Sequence, residues 1–67
     1  MKVSQVTIFT KPGSRFNDIF VREGADGITD LHYITRDGTA GVNYVKDGKR
    51  RGSSFPLYEI SGIETVL

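Results

Sequence analysis

The sequence predicts a small all-β fold, and three observations carry that prediction. Turn signals recur at short intervals: Pro12-Gly13, Gly24 to Gly27, Asp37-Gly38 and Asp47-Gly48. The first three stretches they bound, and the one between the last two signals, run about 8 to 10 residues and are rich in Val, Ile, Thr, Phe and Tyr, which suits strands rather than helices. Where helical spacing does occur, in the last segment, Gly62 counts against a helix. Asp-Gly supplies the positive φ that tight hairpin turns need, and Pro-Gly suits a type II turn.

Four turn signals leave five segments. The first, Val3 to Thr10, sets Val6 and Ile8 on one side and Val3 and Phe9 on the other, so it is expected to be partly buried on both faces. The second runs from about Phe16 to Glu23. In the third, Ile28 to Arg36, Leu31 and Tyr33 alternate with Asp30 and His32. Asp37-Gly38 joins it to the fourth, Thr39 to Lys46, whose Ala40, Val42 and Tyr44 share a face. The last segment, FPLYEISGIETVL, places Leu57, Ile60, Ile63 and Val66 at helical intervals, but Gly62 and the β-branched content favour a strand with a bulge at Gly62. Pro56 removes a backbone donor, so Ser53 to Leu57 is expected to be irregular or a single 3₁₀ turn.

A chain of 67 residues forms one domain, residues 1–67, and buries only about 60% of the surface its unfolded form exposes. Five short antiparallel strands hide their edges most economically by curling into a barrel, SH3-like or OB-like; an open meander, with an exposed edge that invites pairing, is the alternative. Phe20, Tyr44 and Tyr58 are expected in the core. With no cysteine, neither a disulfide framework nor a thiolate metal site is available. The alternating N-terminus, MKVSQVTIFT, lacks the apolar run of a secretory signal, and no segment approaches the length of a transmembrane helix. A cytoplasmic protein with no membrane partner is expected.

Catalytic chemistry is hard to find. His32 is the single histidine, two residues from Asp30, and no nucleophile or second base is tied to it. No nucleotide-phosphate cradle of the GxGxxG or GxxxxGK kind occurs, and the two GxxG runs, from Gly24 and from Gly38, lie between strands rather than helices. A non-enzymatic protein without cofactor or metal is expected. Over five residues, Asp18-Ile19-Phe20-Val21-Arg22 resembles the DVFVH stretch of cold-shock domains, whose aromatics stack single-stranded bases. The KGFGFI stretch and the aromatic-rich first strand of that family have no counterpart here, and Arg22 replaces the histidine, so no family is assigned.

What remains is charge. The net value is only +1, yet its distribution is segregated: Lys2, Lys11, Arg15 and Arg22 outnumber Asp18 in the first 22 residues, and Lys46, Lys49, Arg50 and Arg51 surround Asp47 alone. Between them lies an acidic stretch with Glu23, Asp26, Asp30 and Asp37. The run KDGKRRGSSF reads as a turn followed by an exposed basic loop suited to phosphate, with Arg forks, small hydroxyls and Gly for close approach. If Lys11 and Arg15 lie beside it, about six cations line one groove, with Phe16 and Phe55 available to stack on bases. The leading expectation is a module contacting nucleic-acid backbone through Lys11, Arg15, Phe16, Lys46, Lys49, Arg50, Arg51 and Phe55. The rival is an accessory, viral or inhibitor module that docks on a larger protein through a sheet edge or apolar patch. A homodimer pairing through the Ile60 to Leu67 strand is the third.

Overall fold

The computed structural model describes residues 1–67 and contains six strands and one short 3₁₀ turn. The elements are β1 (Gln5–Thr10), β2 (Ile19–Arg22), β3 (Ile28–Arg36), β4 (Thr39–Lys46), β5 (Lys49–Pro56), the 3₁₀ turn (Leu57–Glu59) and β6 (Ile60–Val66). They form two antiparallel three-stranded sheets, ordered β2-β1-β6 and β3-β4-β5. The expected five-stranded closed barrel is therefore corrected. Six strands divide between two sheets, and the ladder between the sheets is limited to a single Lys2–His32 bridge.

Each turn signal is used. Asp26-Gly27, Asp37-Gly38 and Asp47-Gly48 all have both residues at positive φ, between 51° and 77°, as a type I′ turn demands. Gly13, at φ 80°, takes the third position of a turn closed by the Ser14 N–H donating to the Lys11 carbonyl at 3.0 Å. Asp tolerates the left-handed region because its short side chain bonds locally, and Gly has no Cβ to clash.

Two irregularities decide which side chains point inward. At Asp30, also left-handed with φ 55°, the β3–β4 register shifts between Thr29 and His32. That bulge breaks the alternation and lets Ile28, Leu31 and Tyr33 all reach the interior. On β6, Phe9 pairs with Gly62 and Thr10 with Ile60, leaving Ser61 as the extra residue. The bulge sits one residue before Gly62, and it brings Ile60 and Ile63 onto the core together.

The core contains Val3, Val6, Ile8, Val21, Ile28, Leu31, Tyr33, Ala40, Val42 and Phe55, with no buried polar residue. Val3 belongs to it although it precedes β1. Its N–H donates to the Leu31 carbonyl on β3, and the chain then bends at Ser4 and enters the other sheet, so Val3 and Val6 face the same interior from different sheets. The first segment is thus divided between two sheets. The second segment pairs only over Ile19–Arg22.

The residues read as an exposed loop, Lys49 to Ser54, form most of strand β5. They pair in register with β4 from Lys46↔Lys49 to Thr39↔Pro56. Lys, Arg, Gly and Ser offer no alternating apolar pattern here, so the strand is imposed by the preceding type I′ turn and by β4's ladder rather than by propensity.

Candidate nucleic-acid interface

Strand register sorts the basic run by face. Residues directly opposite one another across a ladder share a face. Ala40 is opposite Phe55, Val42 opposite Ser53, Tyr44 opposite Arg51 and Lys46 opposite Lys49. Ala40, Val42 and Phe55 are core residues and Tyr44 packs against them, so Lys46, Lys49 and Arg51 continue the inner face past the edge of the core. Arg50 lies on the other face, opposite Val45. Lys46 and Lys49 flank the turn, about 5.5 Å apart at Cα, and Arg51 follows about 6.6 Å further along. None of these three cations makes an ion pair.

Arg50 is committed elsewhere. One of its terminal nitrogens donates to the Asp30 carboxylate at 2.6 Å and the other to the Asn43 side-chain oxygen at 2.9 Å. Asp30 also faces the Lys2 ammonium at 3.8 Å and the His32 Nδ1 at 3.5 Å. The Arg50 hydrogen bond holds the Asp30 carboxyl below the usual carboxylate range, with His32, Arg50 and Lys2 adding Coulomb attraction. Beside it, Glu23 accepts the Leu31 N–H and the Lys2 ammonium, both at 3.1 Å, and its carboxyl is lowered for those reasons in that order. Of the six cations expected at a phosphate interface, Arg50 is the one that is ion-paired, closing a cluster in which Lys2 and Arg50 balance Glu23 and Asp30.

The expectation of Phe55 as a stacking surface is overturned. Phe55 is 6% exposed, its ring centroid 5.6 Å from that of Phe16 in an edge-to-face contact, so it cannot stack on a base. Phe16 is half-buried, and the Arg15 guanidinium covers its ring at 5.2 Å, a cation–π contact on the outside of the Phe16–Phe55 pair. This pair ties the first loop to the Phe55 end of β5. Phe55 lies four positions beyond Arg51, about 13 Å along the strand. Lys11 is exposed at the same loop, its N–H donating to the Glu59 carbonyl at 2.9 Å, while the Glu59 carboxylate takes the Ser14 hydroxyl at 2.5 Å. The two basic segments therefore occupy the two ends of β5 and do not form one groove of six cations. The first end holds Lys11 and Arg15; the second holds Lys46, Lys49 and Arg51.

No protein-family model, curated protein or solved structure matches the chain. The chemistry of the surface must then carry the functional reading. No pocket indents that surface, no three His, Cys, Asp or Glu side chains are placed to hold a metal, and no helix is long and apolar enough to cross a membrane.

Two features escape a reading of the sequence. Phe20 and Tyr58, expected in the core, are 59% and 68% exposed. Phe20 lies opposite Thr7 on the outer face of its sheet, and Tyr58 lies on the 3₁₀ turn rather than a strand. The Asp30 hub is equally hidden, since Lys2 and Arg50, both remote from it in sequence, are brought to it only by the fold. The sole local hint is an Asp within a strand-like run, a residue disfavoured there unless the backbone departs from extended geometry.

Proposed function

We propose that the protein is a non-enzymatic binding module that contacts nucleic-acid backbone through the inner face at the turn end of the β4–β5 hairpin. One observation supports the reading above all: Lys46, Lys49 and Arg51 share a face, free of acidic partners, on a strand pair held rigid by eight cross-strand residue pairs. Lys46 and Lys49 supply point charges, Arg51 supplies a planar fork for a phosphate, and half-buried Tyr44 opposite Arg51 offers a ring edge between them. Arg15 on the Phe16 ring gives a second, separate contact at the far end of β5. Contacts of this kind position a strand without reading its bases.

Salt-dependent titration with labelled oligonucleotides tests this. Three neutralised phosphates give a log–log slope of about −2 for single strands and about −3 for duplex. Lys49→Ala and Arg51→Ala each flatten it by about one unit, whereas Arg50→Ala, already spent on Asp30, leaves it unchanged. Equal effects at all three positions, or no binding at low salt, would reject the reading.

Docking on a larger protein through a sheet edge has one observation in its favour. The outer side of β5 has no neighbouring strand.

A further inference from the structure

The outer side of β5 can be described group by group from the hairpin's geometry. A two-residue type I′ turn makes its flanking residues a hydrogen-bonded pair, so Lys46 and Lys49 exchange both backbone bonds. Alternation then directs the N–H and C=O of Lys49, Arg51, Ser53 and Phe55 toward β4. Those of Arg50, Gly52 and Ser54 point away from it. Pro56, which has no N–H, falls in the outward phase, where none is needed for the ladder.

The opposite edge of this sheet is treated differently. β3 is flanked by the N-terminal residues, with the Val3 N–H donating to the Leu31 carbonyl at 3.2 Å and the Tyr33 N–H to the Met1 carbonyl at 2.9 Å. One edge is covered, and the other presents three consecutive outward donor–acceptor sets.

Side chains along that open edge are selective. Lys49 and Arg51 stand on one face, unpaired, at alternate positions. On the other face Arg50 is neutralised by Asp30, and Gly52 leaves bare backbone. A second copy of β5 would bring like charges together, which is how Lys-rich edges resist self-pairing. A phosphodiester strand could use the outward N–H groups but would meet the outward carbonyls unfavourably. An extended polypeptide uses both.

We infer that the outer edge of β5 is a docking site for an extended acidic segment of a partner protein, added as a fourth strand to the β3-β4-β5 sheet. Its backbone pairs with Arg50, Gly52 and Ser54. Its carboxylates, two residues apart on one face, meet Lys49 and Arg51. The face with Gly52 accepts any side chain that fits above a glycine. The inference rests on the edge-docking reading and not on nucleic-acid contact, and because both ligands need Lys49 and Arg51, they compete.

The test uses the intact chain and blocked peptides of four Thr-Glu or four Thr-Lys repeats, with an oligothymidylate as a third probe. Amide hydrogen exchange is read residue by residue. The Thr-Glu peptide is expected to slow exchange at Arg50, Gly52 and Ser54, and to leave the already bonded Lys49, Arg51 and Ser53 unchanged. Ser54→Pro, which removes an outward donor and no ladder bond, weakens peptide binding about tenfold, while Ser54→Ala does not. Should Ser54→Pro fail to fold, the double charge reversal Lys49→Glu, Arg51→Glu decides, since it must switch preference from Thr-Glu to Thr-Lys. Absence of peptide binding, equal binding of both peptides, or binding without protection of the three outward amides overturns the inference. So does protection of those amides by oligothymidylate alone. Oligothymidylate binding that depends on Lys49 and Arg51 but leaves those amides unprotected sustains the nucleic-acid reading whichever way the peptide behaves.

Discussion

At the scale of single residues, burial rather than chemical type separates the aromatics into scaffold and surface. Phe55 sits among basic and small polar neighbours in sequence, yet it faces Ala40 across the ladder and closes the core against Phe16. Phe55→Ala is expected to cost about 3–5 kcal/mol, measured by denaturant unfolding. Phe20→Ala, on an exposed face, should change stability by less than about 1 kcal/mol. The carboxylates set the acid limit. Asp18 is lowered by accepting the Thr10 N–H and then the Thr10 hydroxyl, both at 2.7 Å; Glu23 and Asp30 are lowered by the bonds described above. A carboxyl whose folded pKa lies below its unfolded value stabilises the fold at pH above the unfolded value and loses that contribution as pH falls through the folded one. Stability should therefore be level down to about pH 5 and decline below about pH 4, as thermal unfolding across an acid series will report. Asp30→Asn should shrink that decline. Tyr33 acts at the other extreme: burial raises its pKa, so its contribution is complete below the ordinary tyrosine value and fades as pH rises past it.

At the scale of elements, the turns carry more information than the strands. Asp37-Gly38 and Asp47-Gly48 specify left-handed pairs locally, and each sets the phase of the ladder that follows. That is why the β3–β4 hairpin, with Ala40 and Val42 inward, is legible from residues alone, and why β5 is not: its own side chains say loop, and only its partner says strand. Gly48→Ala tests the division. With φ at 77° and nothing within 4 Å of the added Cβ, the cost is backbone strain alone, about 1 kcal/mol by equilibrium unfolding. Because the β4–β5 register depends on this turn, the same variant should also loosen amide protection along Lys49 to Ser53. The bulges at Asp30 and Ser61 show the converse limit, since one extra residue reverses every later side chain, and no strict alternation count survives it.

At the scale of the whole molecule, two small sheets are joined by very little covalent and ladder continuity. The N-terminal residues matter out of proportion to their length, because they cover the β3 edge and insert Val3 between the sheets. Val3→Ala should cost about 2 kcal/mol, and the loss should raise hydrogen exchange in β1 and β3 together if the sheets unfold as one unit. Charge is also a whole-molecule property. Within a chain of nine basic and eight acidic residues, Glu23 and Asp30 pair with Lys2 and Arg50 across the fold, while Lys11 and Arg15 at one end of β5 and Lys46, Lys49 and Arg51 at the other stay unpaired. Net charge alone conceals that arrangement, and so does a count along the sequence, which assigns Arg50 and Arg51 to one cluster although they face opposite sides.

The residues by themselves determined an all-β chain, its four turns, the β3–β4 hairpin and a bulge near Gly62, but not the stretch read as irregular over Ser53 to Leu57, which is strand as far as Pro56 with the 3₁₀ turn at Leu57–Glu59. Each feature so determined follows from local backbone preference, which needs only neighbouring side chains. Tertiary structure alone decided that six strands divide into two sheets, that Lys49 to Ser54 is an open edge strand, that Phe55 is buried and Phe20 exposed, and that Arg50 is spent on Asp30. Those outcomes depend on which distant strands pair and in what register. Pairing is won by the summed burial of both sheets' inner faces, a quantity that no short stretch of residues contains.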